Sequence, residues 1–453
     1  MSNLTTAPPS GQLSHSQADL QVLVALAIEE GRKLGATAVE AGVSVDTGLS
    51  VTARLGEVET LEYQRDRGMG VTLYRGQRKG SASTGDLTPK AIRDSVAKAF
   101  SIAGFTAEDE CAGLPDPDAM ARDIPDLDLH HPWPIEPDAA RDLAVACEAA
   151  ALAADKRIGN SEGATLSSHQ GLRVFGNSIG FLGGFASSLH SLSCVVIAQD
   201  NGEMQRDYWY SSVRDWRELE DGESIGKRAA QRALRRLDAR KLATSTAPVL
   251  FAPELARGLF GHFLGAVRGG SQYRRASFLQ DAAGQQIFPS WMNISERPHI
   301  PKALGSSPFD SEGVATRDRE LIDRGVLTGY VLSTYSARKL GLKTTGNAGG
   351  VHNLIVANGP DDFDALLRRM GRGLVVTELM GQGVNGVTGD YSRGAAGFWV
   401  ENGEIAYPVH EITIAGNLKD MYQSIIAVGS DVDRRGGIRT GSVLIERMTI
   451  AGE

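Results

Sequence analysis

At 453 residues, the chain is longer than a single hydrophobic core usually supports, so two domains are expected. With 42% hydrophobic and 23% charged residues, its composition is that of a globular protein. A net charge of −8 argues against a nucleic-acid partner, which requires a basic surface, and no apolar run is long enough to span a membrane.

The chain begins with a predicted tail, a helix and paired strands. Residues 1–15 predict a disordered tail that lacks the features of a secretory signal. Ser16, followed three residues later by Asp19, predicts a capped helix that ends near Leu34. The next stretch alternates at period two, which predicts strands, and Asp46-Thr47-Gly48 predicts a turn between them.

Further helices and strands complete the first predicted domain. Thr88 and Pro89 form an N-cap and first-turn pair that predicts a helix to about Ile102. The remaining predicted elements are a hairpin at 68–84, helices at 138–155 and 222–237, and strands within 161–210. Together these patterns indicate helices packed on an antiparallel sheet, in a domain that covers residues 16–244.

A second domain is predicted from residue 245 to residue 453. It holds one clear helix, Pro253–Val267, among many short strands bounded by glycine. This pattern is typical of a closed or barrel-like β-rich domain, so the predicted fold class is α+β. The three cysteines follow no disulfide or metal spacing, which is consistent with a reducing cytoplasm.

Common catalytic and nucleotide-binding motifs are absent from the sequence. The segments "GSASTG", "GGVHN" and "GQGVNGVTGDYSRGAAG" match neither phosphate-loop pattern, so they predict turns and bulges. No G-x-S-x-G motif is present, and Cys194 lies in an apolar strand pattern that predicts a buried, inert thiol. The histidines are scattered, although a metal site that joins His262 to His352 or His410 stays open as an alternative.

Four long segments resemble the PmbA (TldE) branch of the TldD/PmbA metallopeptidase family. They begin "SEGATLSSHQGLRVFGNSIGF", "LFGHFLGAVRGGSQYRRASFL", "SSPFDSEGVATRDRELIDRGVL" and "TELMGQGVNGVTGDYSRGAAGF". The resemblance extends from about residue 16 to the C-terminus. It implies a two-subunit cytoplasmic protease whose catalytic, TldD-type subunit carries His-Glu-x-x-x-His on a helix, with a cysteine near the C-terminus completing the zinc site.

The resemblance assigns four positions of this chain to that zinc site. His262 matches the first histidine, Phe263 the glutamate, Val267 the second histidine and Thr440 the cysteine. A catalytic zinc needs about three protein ligands, and the glutamate is the base that deprotonates the zinc-bound water. One imidazole and a phenylalanine cannot supply these groups, so we expect a degenerate site with no catalytic residue and no cofactor in this chain.

The resemblance therefore implies the non-catalytic half of a zinc metalloprotease that trims or degrades unfolded peptides, in leader-peptide maturation and antitoxin turnover. The expected partner is a TldD-type catalytic subunit that holds the zinc, and self-association into a homodimer is a further expectation for the chain alone. Two alternatives stay open. One is a peptidase with a divergent metal site of its own, and the other is a peptide-binding regulator without a protease partner.

Peptide substrates are expected to bind as an added strand on a β edge of the C-terminal domain. The glycine-rich segment "GQGVNGVTGDYSRGAAG" would permit close backbone approach, and main-chain hydrogen bonds tolerate many sequences. Asp390 and Arg393 in this segment are candidates for orienting the peptide. The alternative is that these two residues form a structural ion pair in a turn.

Overall fold

The computed structural model describes residues 13–452, which form two compact units. The N-terminal unit consists of the described residues up to Leu234 together with Pro308–Ala315, and the C-terminal unit contains the rest. The predicted tail, residues 1–15, lies outside the described residues except for its last three. The predicted α+β class is confirmed, because an antiparallel sheet with helices precedes a barrel.

The N-terminal unit is built on a six-stranded antiparallel sheet of order β3-β2-β1-β4-β5-β6. The strands are β1 (Ala38–Arg54), β2 (Glu57–Arg75), β3 (Arg78–Thr84), β4 (Ile158–Asn177), β5 (Leu182–Asp200) and β6 (Glu203–Val213). The helices are α1 (Gln17–Lys33), α2 (Pro89–Ala103), α3 (Pro137–Leu152) and α4 (Gly222–Leu234).

The predicted starts of the first two helices are confirmed. Ser16 accepts a hydrogen bond from the backbone N–H of Asp19 (3.2 Å), and the Asp19 carboxylate accepts one from the backbone N–H of Ser16 (2.9 Å). Thr88 caps α2 in the same way through the backbone N–H of Ala91. Such caps satisfy backbone donors that the first turn of a helix leaves free.

The predicted turn at Asp46-Thr47-Gly48 is wrong, because β1 continues through these residues to Arg54. The chain turns instead at Leu55 and Gly56, which have positive φ angles of 51° and 81°. Gly48 is needed for a different reason. A Cβ atom there would lie 2.0 Å from Nδ1 of His169 on the neighbouring strand β4, so the glycine makes room for that ring.

The C-terminal unit combines a barrel with a smaller sheet. The barrel strands are β7 (Ser245–Phe251), β12 (Gly373–Met380), β13 (Asp390–Glu401), β14 (Glu404–Asn417) and β17 (Val443–Ala451), with β15 (Ile425–Val428) added beside β17. Pairing of β14 with β17 closes the ring. The predicted barrel-like domain is therefore confirmed.

The smaller sheet has the order β10-β9-β8-β11-β16. Its strands are β8 (Ile294–Glu296), β9 (Arg319–Asp323), β10 (Val326–Leu327), β11 (Leu354–Val356) and β16 (Ile438–Arg439). The helices of this unit are α5 (Pro253–Val267), α6 (Gly269–Tyr273), α7 (Thr334–Lys339), α8 (Phe363–Met370) and α9 (Leu418–Gln423). The bounds of α5 match the predicted ones.

Residues 235–244 belong to the C-terminal unit by compactness, although β7 begins only at Ser245. The backbone N–H of Arg240 donates to the carbonyl of Pro408 on β14, and Arg236 pairs with Glu378 on β12. No helix among residues 13–452 is both long and apolar enough to cross a membrane.

Candidate functional site

The candidate site is centred on α5, a helix with two different faces. Pro253 occupies the first turn, where its missing N–H costs nothing, and the helix ends at Val267 because Arg268 is extended. One face joins the apolar core of the C-terminal unit through Ala256, Leu259, Phe260, Phe263, Leu264, Ala266 and Val267. The other face carries His262.

Phe263, which the resemblance aligns with the glutamate of the catalytic subunit, lies fully within this core. Its ring packs edge-on against Phe288 at 5.3 Å and against Tyr422 at 6.4 Å between centroids. The Tyr422 hydroxyl donates a hydrogen bond to the Leu259 carbonyl (2.8 Å), so it also ties this cluster to the backbone of α5. The position therefore has an apolar environment in which a carboxylate would have no partner.

Val267 and Thr440 are equally inaccessible, with 0% of each residue exposed. The carbonyl of Val267 accepts a hydrogen bond from the backbone N–H of Val331 (3.0 Å), which fixes the end of the helix. Thr440 follows β16, a strand that packs against α5, and its hydroxyl donates to the carbonyl of Gly441 (3.0 Å). The neutral Thr440 hydroxyl thus already forms a hydrogen bond within its own loop.

His262 is half-buried beside two residues of β13. Its ring meets Tyr391 edge-on at 6.1 Å, and burial together with the positive charge of Arg393 lowers the pKa of His262. Burial raises the pKa of Tyr391 to about 12, so this phenol is neutral at pH 7. A neutral imidazole next to a neutral phenol and a cation is a polar surface without a negative charge.

The four assigned positions do not provide a zinc site. Only His262 offers a metal ligand, since Phe263 and Val267 are apolar and Thr440 is a hydroxyl bonded elsewhere. Within residues 13–452, no group of three or more His, Cys, Asp or Glu side chains is placed to hold a metal ion. The donor set therefore does not fit a catalytic zinc, which needs about three ligands.

The exposed side of α5 is an open glycine face, a feature that the sequence analysis missed. Gly258, Gly261, His262 and Gly265 share one side of the helix, because they are spaced by three or four residues. A Cβ atom at any of the three glycines would have nothing within 4 Å. Glycine inside a helix costs about 0.5–1 kcal/mol relative to alanine. The repeated glycines in "GLFGHFLG" were the signal available in the sequence.

Asp390 and Arg393, the two predicted peptide-binding residues, have separate environments. The Asp390 carboxylate accepts hydrogen bonds from the Thr388 hydroxyl (2.6 Å) and the Asn417 amide (3.2 Å), and these bonds lower its pKa. Arg393 instead acts on His262 and Tyr391. Both residues are described, and no ion pair joins them. Three positions apart on a strand, they project to opposite faces.

The glycine-rich segment at 381–397 offers no free strand edge. β13 is hydrogen-bonded to β12 on one side and to β14 on the other. At the start of β13, the backbone N–H of Ser392 donates to the Gly383 carbonyl (2.7 Å), so the preceding loop folds back along the strand. An added peptide strand would need to pair elsewhere.

Arg439 is a second missed candidate, since its strand packs against α5. It is half-buried, and its Nε atom has no hydrogen-bond partner among the described residues. Burial and the nearby charge of Arg434 lower its pKa. Neither Arg393 nor Arg439 forms an ion pair with any described residue. The surroundings of α5 thus include two guanidinium groups without a carboxylate partner.

The fold and site define a two-unit α+β protein whose barrel domain carries a helix with one buried face and one open face. Models of the three domains of the PmbA/TldA metallopeptidases match it at residues 39–103 (domain 1), 130–237 (central domain) and 244–452 (C-terminal domain). The chain belongs to the PmbA/TldD metallopeptidase family.

Relatives with known sequences support this assignment over nearly the whole chain. The metalloprotease PmbA of Escherichia coli O157:H7 is 55% identical over 95% of both chains. A Haemophilus influenzae metalloprotease PmbA homolog is 49% identical over 97% of this chain and 98% of its own. A TldD homolog from the same species is 23% identical over 84% of each chain.

Solved structures show the same fold. A Bacteroides thetaiotaomicron protein, solved as a proposed modulator of DNA gyrase, aligns with a TM-score of 0.91 at 28% identity, over 96% of this chain and 99% of its own. TldE from Thermococcus kodakarensis aligns with a TM-score of 0.83 at 22% identity, over 95% of this chain and all of its own.

Proposed function

We propose that this chain is the non-catalytic, PmbA/TldE-type subunit of a cytoplasmic zinc metalloprotease, with a TldD-type catalytic partner. The observation that carries the proposal is the state of α5. Phe263 and Val267, at the positions of the base and of the second zinc ligand, are apolar and fully buried. Apolar side chains at these two positions cannot bind zinc or accept a proton from water. Their burial instead stabilises the packing of α5 against the core.

Catalysis by the complex would then come from the partner, where zinc and a glutamate would activate the attacking water. This chain would contribute surface rather than chemistry. Its open glycine face permits close approach of another backbone, and His262 and Arg393 border that face with one neutral and one charged donor. The chain would thereby help to hold a peptide without reacting with it.

The proposed substrates are unfolded peptides, as in leader-peptide trimming and antitoxin turnover. Contact with a glycine face depends on the peptide backbone, so it would tolerate many sequences. Arg393 is the better candidate for orienting a peptide, because the Asp390 carboxylate already bonds within its own loop. Arg439 adds a second cation that could receive a peptide carboxylate.

Co-purification tests this proposal. This chain should co-purify with a sibling that carries His-Glu-x-x-x-His, and the pair should cleave an unstructured peptide. Replacing the sibling's glutamate by glutamine should abolish cleavage, whereas Phe263→Leu in this chain should leave it unchanged. Cleavage that survives the sibling's substitution would support an independent metal site in this chain. Peptide binding without any such sibling would support a regulator.

A further inference from the structure

The N-terminal unit carries a groove of about 610 Å³ on its sheet. It crosses β1, β2, β3 and β4, and Ser311 of the segment Pro308–Ala315 adds to its lining. Val43, Met69 and Val174 belong to the core that α1 and α2 cover. Successive residues of a strand face opposite sides of the sheet. The neighbouring residues Gly42, Gly70 and Arg173 therefore lie on the other side, where the groove is.

The floor of the groove consists largely of exposed backbone. Gly42 of β1 lies opposite Gly70 of β2, and Gly68 lies opposite Ser44. Packing does not require these glycines: a Cβ atom at Gly70 would have nothing within 4 Å, and at Gly42 the nearest atom would be a Phe175 ring carbon at 3.5 Å. Glycine weakens a strand, and its presence often marks a place where a ligand approaches the backbone closely.

Among residues 13–452, Arg173 is the one charged residue that lines the groove. Its guanidinium carbon lies 4.9 Å from the ring centre of Phe185 and 5.7 Å from that of Phe309, so two aromatic faces hold it in place. It forms neither a hydrogen bond nor an ion pair with any residue that the structure describes. Burial lowers the pKa of Arg173, and the negative charge of the nearby Asp310 partly opposes this effect.

A guanidinium that lines a recess is suited to a carboxylate, which it binds through two parallel hydrogen bonds. We propose that the groove binds an extended peptide segment, with a peptide carboxylate on Arg173 and the peptide backbone on the glycine floor. The Ser44, Ser83 and Ser311 hydroxyls along the groove supply further hydrogen-bonding groups. A compact phosphate is less well matched, because the groove has one cation and a long backbone floor.

This inference does not rest on the proposed function, because binding is measured without cleavage. The probe is a fluorescently labelled, unstructured ten-residue peptide with one aspartate and an amidated C-terminus. Its partner probe has asparagine instead. Anisotropy should show tighter binding of the aspartate peptide. Arg173→Gln should weaken that binding by roughly tenfold or more and remove the difference between the probes, since glutamine cannot form the charged hydrogen bonds that arginine forms with a carboxylate.

Gly70→Val tests the floor separately. A Cβ atom at Gly70 would have nothing within 4 Å, and glycine weakens a strand, so the thermal midpoint should not fall, while both probes should lose affinity. Gly159→Val is the matched control: Gly159 also lies in a strand with nothing within 4 Å of its Cβ position, but outside the groove. It should bind both probes like the wild type.

Any of the following results would overturn the proposal. In the first, both probes bind equally to the wild type, or Arg173→Gln changes nothing. In the second, Gly70→Val binds as well as Gly159→Val does. In the third, inorganic phosphate displaces the peptide at low concentration, which would make the groove a general anion site. If Gly70→Val instead converts a wild-type dimer into a monomer, the occupant is a second copy of the chain and not a peptide.

Discussion

The two faces of α5 differ in what they tolerate. On the buried face, Phe263 and Val267 pack among aromatic and aliphatic side chains with no exposed surface. On the open face, three glycines have nothing near their Cβ positions, although each costs helix stability. One face is arranged for stability, and the other is kept free of side chains at some cost to stability.

This difference indicates that the open face of α5 is the one available for binding. At the positions that the resemblance aligns with the zinc-site glutamate and second histidine, this chain has Phe263 and Val267, and both side chains are part of the packed core. The backbone surface beside His262 has stayed open, and no packing requirement explains it. Substitutions on the two faces should therefore affect different properties: stability for the buried face, and peptide handling for the open face.

The largest effect is expected for Phe263→Glu. Loss of the ring packing and burial of a carboxylate should lower the free energy of unfolding by about 4 kcal/mol or more at pH 8. The pKa of the new glutamate is raised in the folded state, so the destabilisation should be smaller at pH 5 than at pH 8. Urea unfolding at both pH values measures this.

Phe263→Leu is the control for that substitution, with an expected loss below about 1.5 kcal/mol and little pH dependence. A Phe263→Glu variant as stable as Phe263→Leu at pH 8 would mean that the position is not part of a closed core. The contrast between the two faces would then fail.

Substitutions of Gly261 should leave the stability of the chain intact or increase it, and a large side chain there should reduce peptide turnover. Gly261→Ala should stabilise the chain by about 0.5–1 kcal/mol, because its Cβ position is open. Gly261→Leu should fold normally but reduce peptide turnover by the assembled complex on the order of a hundredfold, since a small misplacement of substrate can have that effect.

Gly226 in α4 provides the matched comparison. A Cβ atom there would lie 2.1 Å from the carbonyl oxygen of Cys147, so Gly226→Ala should destabilise the fold by about 1–3 kcal/mol. Normal turnover by Gly261→Leu would show that the open face does not contact the peptide.

A smaller effect is expected for Arg393→Gln in the complex. The loss of one charged hydrogen-bond donor should raise KM for peptides that carry a carboxylate by roughly tenfold, with kcat little changed. Asp390→Asn is the control, because this carboxylate bonds to Thr388 and Asn417 and should not contact the peptide. Equal effects of the two substitutions would restore the prediction that both residues orient the substrate.

The smallest effect concerns the titration of His262. Its pKa should lie below its usual value, and Arg393→Gln should raise it, because that substitution removes a nearby positive charge. Since the folded-state pKa is lowered, the contribution of His262 to stability should be lost as the pH falls through the interval between the usual and the folded value. Histidine NMR titration measures the shift, and an unchanged pKa in Arg393→Gln would place Arg393 farther from the ring.

Local signals in the sequence predicted much of this structure, and contacts between distant segments account for the errors. The caps at Ser16 and Thr88 are local, and so are the proline and apolar spacing that define α5. The turn predicted at Asp46-Thr47-Gly48 failed because Gly48 makes room for His169, which lies more than a hundred residues later. The residues near Gly48 in the sequence cannot predict a contact with His169.

The candidate site divides in the same way. The apolar identities of Phe263 and Val267 are the basis for predicting a degenerate zinc site, which stays a prediction, whereas the burial of Phe263 depends on distant residues such as Phe288 and Tyr422. Asp390 and Arg393 are neighbours in sequence, yet strand alternation and the partners of each side chain separate them. The open face of α5 could have been predicted from its repeated glycines. Glycine lowers the stability of a helix, so three glycines on one face indicate that side chains are disfavoured there.

The central claim, that this chain is not itself a peptidase, is tested most directly on the purified chain alone. Zinc content after mild chelation and cleavage of an unstructured peptide should be measured on the same sample. The account predicts substoichiometric zinc and no cleavage until a sibling carrying His-Glu-x-x-x-His is added. Near-stoichiometric zinc that survives chelation, together with chelator-sensitive cleavage by this chain alone, would contradict it.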